Sequence, residues 1–373
     1  MFCLCDFIEG KTMNNRKLLS ETIGVLRFPL MVGVVLAHIG FVDKSNNMFV
    51  NIFENYFLES FIRIPVPLYF FISGILFFYG TESFGFREYR DKLKNRVKRL
   101  LLPYLLWGVF SIVVKYISYL LGQDDASFLF DDGWFKWIYY VVWDPVNYQL
   151  WFVRDLFLVI LISPIIYLLI KRLKFVFVLI IAFAWLCWHE NIFALFGLEY
   201  YVVTGNVFGV LGYNFVSLFF FSFGAWFSIF RKDVILIFKR ISPMSVIFYL
   251  CCTILKFVLN DVYVVEVFHR LSLLFGLITI VTIAYMLVKN GKVKRNMFLE
   301  SGSQFIYYYH VLFITYYAVA LYHLEVFNID NSFVYSLVYL SVPIVTILLG
   351  LGLYKVGMRW CPKVMRVILG MRN

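Results

Sequence analysis

The chain has 373 residues, of which 62% are hydrophobic, 21% aromatic and only 15% charged, with a formal net charge of +11 and a mean hydropathy of +0.81. One soluble core has no room for 43 Phe, so a water-soluble globular domain is excluded. Repeated apolar stretches of about 20 residues suit helices crossing a ~30 Å hydrocarbon layer, not the short alternating segments of a β-barrel.

Hydropathy predicts helical spans at 23–42, 65–84, 100–121, 150–170, 175–196, 208–230, 243–259, 268–288, 303–324 and 332–354. The expected fold is all-α and polytopic, with about ten transmembrane helices. A cytoplasmic N-terminal segment (1–20) precedes a membrane domain (21–355) and a basic cytoplasmic tail (356–373). The boundary between the fifth and sixth spans is the weakest, because His189, Glu190 and Asn191 interrupt the pattern.

The net charge suggests nucleic acid until its distribution is read. Of the 34 Lys and Arg, three (Lys44, Arg63, Lys136) fall on one side of the expected membrane and five (Arg27, Lys115, Arg154, Lys256, Arg270) lie within or beside spans. The other 26 fall on the N-terminal side. Such asymmetry makes that side, with both termini, cytoplasmic. No nucleic-acid partner is expected; membrane lipids surround the bundle.

The opening MFCLCDFIEGKT lacks the basic start, apolar run and small-residue cleavage site of a removable signal peptide. The six Cys are scattered, without a metal-ligand spacing to His, so they read as free thiols and no metal is expected.

The first span holds Arg27 and His38. In a continuous helix a separation of eleven rotates by about 20°, which puts both on one face, roughly 16 Å apart along the axis. A charge at bilayer depth costs about 2.5–3.5 kcal/mol on insertion scales, so such groups usually face a cavity or a partner. The bland alternative is a snorkelling Arg27 and a His38 satisfied by a neighbouring helix. Neutral imidazole is also the commonest general base near neutral pH.

The loop from Gly122 to Gln149 carries Asp131 and Asp132 beside Trp134 and Trp137. Carboxylates and aromatic faces suit a sugar, so this loop is a candidate acceptor site; an interfacial aromatic belt is the alternative.

The arrangement Arg27, ten residues, His38 resembles the signature of the acyltransferase-3 family of bacterial membrane acyltransferases. Further segments resemble that family in order: VPLYFFISGILFF (Val66–Phe78), RVKRLLLPYLLW (Arg96–Trp107), LWF (Leu150–Phe152), FFFSFGAWFS (Phe219–Ser228) and FIYYYHVLF (Phe305–Phe313). Many members carry an Asp three residues before the Arg of the first span. Here that position is Gly24, with Glu21 as the nearest substitute.

The resemblance implies an O-acyltransferase of the bacterial inner membrane. It would move an acyl group, acetyl first among them, from cytoplasmic acyl-CoA to a hydroxyl of an envelope glycan or lipid-linked sugar, with acyl-CoA as co-substrate and no bound cofactor. It implies His38 and Arg27 as the catalytic residues, with His38 as general base or acyl relay. Arg27, Arg96 and Arg99 would hold the donor's phosphates, although Arg96 and Arg99 also suit plain positive-inside topology.

Ser73 can contact the thioester oxygen or simply permit close helix packing beside Gly74. His310 is a further candidate for the passage wall. Arg154 is another, being adjacent to Asp155 and so expected to pair across helices instead of with it. Two other readings stay open: a lipid-linked glycan flippase or polymerase, and an acyltransferase acting on a small metabolite or lipid.

Overall fold

The computed structural model describes residues 2–39, 59–81, 83–122, 129, 134–187, 206–259, 262–323 and 332–371. Among them every regular element is helical. Apart from turns of three to five residues, these are in chain order α1 (Phe2–Leu36), α2 (Pro65–Phe78), α3 (Phe86–Arg96), α4 (Leu102–Leu120), α5 (Trp134–Val142), α6 (Trp151–Leu161), α7 (Ser163–Leu173), α8 (Phe175–Cys187), α9 (Asn206–Ile229), α10 (Val234–Val258), α11 (Val262–Lys289), α12 (Met297–His323), α13 (Ser332–Trp360) and α14 (Pro362–Ile368).

Each of the ten expected spans falls on helix, but fewer helices qualify as single crossings. Among the described residues six are long and apolar enough, or seven if a bent pair counts as one. The physical reasons are local. The span expected at 150–170 breaks at Ile162, where Pro164 starts a new helix and the axis turns by 61°. The span expected at 175–196 runs out of the described residues after Cys187. The chain is a multi-pass membrane protein.

Contacts divide the chain into two compact units. The first comprises Met1–Ala37, Met48–Tyr79 and Val178–Ser303. Its centre is the crossing of α2 with α9, where two glycines let the backbones touch. A Cβ on Gly74 would lie 2.0 Å from the Phe221 carbonyl oxygen, and one on Gly224 2.0 Å from that of Phe71. This is the small-residue packing that membranes favour when no hydrophobic force separates lipid from protein. Ser228 adds a hydrogen bond from its hydroxyl to the Ile75 carbonyl at 2.8 Å. Around the crossing, Phe71 stacks on Phe238 with centroids 5.5 Å apart and meets Phe227 edge-on at 5.9 Å.

Gly224→Ala therefore has to push α2 and α9 apart, at a cost of about 2 kcal/mol or more. The expected reading is a fall of several degrees in the melting temperature of the detergent-solubilised protein. Gly352→Ala is the control and does not lower that temperature, since a Cβ there meets nothing within 4 Å and alanine favours the helix.

The second unit comprises His38–Asn47, Gly80–Phe177 and Gln304–Asn373. Basic α3 passes through a π-helical turn, Val97–Leu101, into α4, where Pro103 sits in the first turn and needs no helical N–H partner. Trp107 of α4 stacks nearly parallel on Tyr308, with centroids 5.5 Å apart, and its indole N–H donates to the Ile368 carbonyl at 3.0 Å.

The C-terminal residues thus fold back as α14, with Met365 and Leu369 buried in the cluster around Trp107 and Tyr308. The turn after α14 needs Gly370 at φ +61, and its Cα leaves no room for a side chain against the Arg99 backbone.

Candidate functional site

In the second unit His38 and His310 come together. Their rings are 5.0 Å apart and near-perpendicular, with His310 Nε2 3.3 Å from His38 Nδ1. His310 is completely buried. Its Nδ1 lies 3.0 Å from the Ile306 carbonyl oxygen and 2.8 Å from that of Tyr307, one helical turn back on α12.

This arrangement sets the tautomers. Carbonyl oxygens only accept, so His310 Nδ1 carries the hydrogen. In a neutral imidazole the other nitrogen is then the acceptor. His310 Nε2 therefore accepts, and His38 Nδ1 donates to it. The basic nitrogen of His38 is its Nε2.

The other wall of the pair is the segment before α6. The Tyr148 ring is 5.3 Å from that of His38. Asn147 and Gln149, both buried, donate to the Tyr308 carbonyl at 3.0 and 3.2 Å, while the Tyr307 hydroxyl donates to the Gln149 carbonyl at 2.6 Å. These cross-links hold the Tyr148 turn against the stretch of α12 that carries His310.

His38 does not lie on the helix of Arg27. The last helical bond of α1 runs from the Ala37 N–H to the Gly33 carbonyl at 3.0 Å, and His38 follows in the turn after Leu36. The shared-face expectation assumed a helix continuing to residue 42. Because the helix stops short, the bond to His310 orients His38, and helical periodicity does not.

In the first unit Arg27 belongs to an ionic cluster that sequence reasoning missed. Its Nη1 is 2.5 Å from Glu300 Oε1. Arg295 grips the same carboxylate in a two-point fork, Nε to Oε2 at 2.5 Å and Nη2 to Oε1 at 2.9 Å. Glu300 is only 4% exposed, whereas the Arg27 side chain is 42% exposed. Asn296 fixes the start of α12 by accepting from the N–H groups of Phe298 and Leu299, which places Glu300 in the first turn. The hydrogen bonds that Arg295 donates to Glu300 raise its affinity for its proton further above its already high ordinary value, with Glu21 contributing at longer range. The Tyr69 hydroxyl of α2 donates to the Arg27 carbonyl at 2.9 Å, tying α1 at this level.

In sequence Glu21 and Thr22 are the polar residues near Gly24, and Glu300 is the carboxylate paired with Arg27. The one sequence signal for Glu300 is an acidic residue in the first turn of an otherwise apolar, aromatic helix, MFLESGSQF.

The remaining candidates separate. Arg96 ends α3 and Arg99 lies in the π-helical turn, both in the second unit. Ser73 sits in α2 beside Gly74, at the tight crossing with α9.

Arg154 corrects an expectation. Its Nε is 2.9 Å from Asp155 Oδ1, so the adjacent pair does bond, because the long guanidinium arm curls back over its own backbone. Its Nη1 also donates to the Trp143 carbonyl, and its guanidinium lies 5.8 Å from the Trp143 ring centre.

Asp131 and Asp132 lie outside the described residues, and Trp134 begins α5. Trp137 donates its indole N–H to the Leu129 carbonyl at 2.6 Å. Phe135, Trp137, Ile138, Tyr139 and Val142 of α5 are all exposed, an apolar dressing that suits a helix at a membrane interface. Among the described residues no group of three or more His, Cys, Asp or Glu has the geometry to hold a metal ion.

The model of an acyltransferase domain family matches residues 21–355. Over 167 residues the chain is 33% identical to the succinoglycan biosynthesis protein ExoH of Rhizobium meliloti (strain 1021), a match covering 41% of this chain and 44% of that protein. The aligned part is thus less than half the length of the curated relative. No solved structure matches the chain significantly.

Proposed function

The chain belongs to the acyltransferase-3 family, which makes it a membrane acyltransferase, and from that premise we propose the donor, the acceptor and the residues of its reaction. The donor is a cytoplasmic acyl-CoA, with acetyl-CoA the first to test. The acceptor is a hydroxyl of an envelope or lipid-linked glycan. The membrane is the bacterial inner membrane, with both chain termini cytoplasmic, as the 26 basic residues on that side argue.

The observation that carries the reading is the His38–His310 bond. In the proposed step His38 Nε2 removes the proton of the acceptor hydroxyl as its oxygen attacks the thioester carbonyl. The carbon–sulfur bond breaks, the leaving thiolate takes that proton back from His38 Nε2 and departs as coenzyme A thiol, and the ester remains on the sugar. His310 is a positioning residue, holding His38 in the tautomer whose Nε2 is basic. Relay through an acyl-imidazole on the same nitrogen uses the same geometry. Arg27, Arg96 and Arg99 hold phosphates of the donor, Ser73 is a contact to the thioester oxygen, and Arg154 keeps the loop from Trp143 in place for the acceptor. A glycan acceptor agrees with the relative's part in succinoglycan biosynthesis.

Purified protein in nanodiscs, given acyl-CoA labelled in the acyl group and envelope glycan from a deletion strain, is expected to deposit label on the glycan. Free labelled acid with no labelled glycan would overturn the acceptor. No consumption of any acyl-CoA would overturn the donor.

A further inference from the structure

Gly24 lies one turn before Arg27 on α1, and the space its missing side chain leaves is filled. A Cβ at position 24 would come within 2.5 Å of Arg295 Nε and 2.6 Å of Arg295 Cδ. The Arg295 arm thus crosses α1 at the glycine to reach Glu300, and Glu300 in turn holds Arg27. Around these groups a cavity of about 150 Å³ opens, lined among others by Ser20, Gly24, Arg27, Tyr79, Arg295 and Glu300.

Three features give this recess a ligand chemistry. Two guanidiniums share one carboxylate, and each has N–H donors beyond those Glu300 takes. The Arg27 side chain is 42% exposed although it belongs to the apolar part of α1, and it lines the recess. The volume accommodates one tetrahedral anion.

We propose that Arg27 and Arg295, bridged by Glu300 across the gap at Gly24, form a two-guanidinium recess that takes one phosphate of the acyl donor, with Glu300 as the residue positioning both forks. The inference rests on the proposed donor and adds to it Arg295, Glu300 and the requirement for glycine at 24. A carboxylate holding two guanidiniums spares the ligand the entropy of ordering two long side chains.

The test titrates the full-length protein in nanodiscs with coenzyme A, with pantetheine (which lacks phosphates) and with inorganic pyrophosphate. Arg295→Gln and Gly24→Ala, which displaces the Arg295 arm without removing its charge, are each expected to weaken coenzyme A binding about 10- to 100-fold, the scale of a lost charged hydrogen bond. Pantetheine binding should not move. Having two variants keeps the test alive if one fails to fold.

Equal coenzyme A affinity in wild type and both variants overturns the recess while leaving the acyltransferase reading intact. Absence of coenzyme A binding by wild type, with pyrophosphate binding still sensitive to Arg295→Gln, overturns the donor reading and keeps an anion recess. An effect seen only in phosphatidylglycerol nanodiscs and absent in phosphatidylcholine assigns the recess to lipid headgroups and overturns the proposal.

Discussion

His38→Ala is expected to lower the rate of acyl transfer by about 10²- to 10⁴-fold, the range that a positioned general base contributes, with coenzyme A binding retained. The expectation follows from the tautomer chain. Two backbone carbonyls hold the proton on His310 Nδ1, His310 Nε2 accepts a hydrogen bond from His38 Nδ1–H, and the second nitrogen of His38 is the basic one. His310→Ala removes only the orientation, so its loss is smaller, about 10- to 100-fold, the scale on which orienting partners of a functional imidazole act. Both are measured as kcat and KM in nanodiscs. A His38→Ala enzyme with unchanged kcat would remove the proposed step. A His310→Ala enzyme with unchanged kcat would leave the base and remove its positioning partner.

Asp155→Ala should cost about 3–5 kcal/mol of stability, because it strands the Arg154 guanidinium in a buried setting. Asp155 is fully buried, and the Arg154 side chain is only 10% exposed. The pair also anchors the turn carrying Trp143, whose carbonyl accepts from Arg154. The double variant Arg154→Met/Asp155→Leu removes the charge along with its partner and should melt well above the single variant, since burying neither ion avoids both desolvation costs. Melting followed by size-exclusion profile in detergent decides this. Equal melting temperatures for wild type and Asp155→Ala would mean that the pair carries no net stabilisation.

Hydropathy alone located a helix in each of the ten expected segments, because a lipid environment enforces long apolar runs and intrahelical hydrogen bonding. It missed the break at Ile162, where a single proline divides an apolar run without changing its average. It also overran the end of α1. The stretch around His38 is as apolar as what precedes it, so hydropathy has no stop signal there.

Pairings were less legible than segments. Arg27 and His38 stood out as polar residues in an apolar span, but their partners Glu300 and His310 come from a helix far along the chain. Only three-dimensional packing brings α12 to α1 at Arg27 and Glu300. Adjacency misled in the other direction at Arg154 and Asp155. Helix geometry separates neighbouring Cβ atoms by about 100°, yet the guanidinium arm is long enough to return.

The most direct test of the whole account is the mass of the envelope glycan repeat from a strain lacking this gene, complemented either with wild type or with His38→Ala. The account predicts that wild type restores one acyl group per modified repeat and that His38→Ala does not, with chain length unaltered in both. Repeats of identical mass in all strains, accompanied by altered glycan length or export, would contradict it and point to a flippase or polymerase instead.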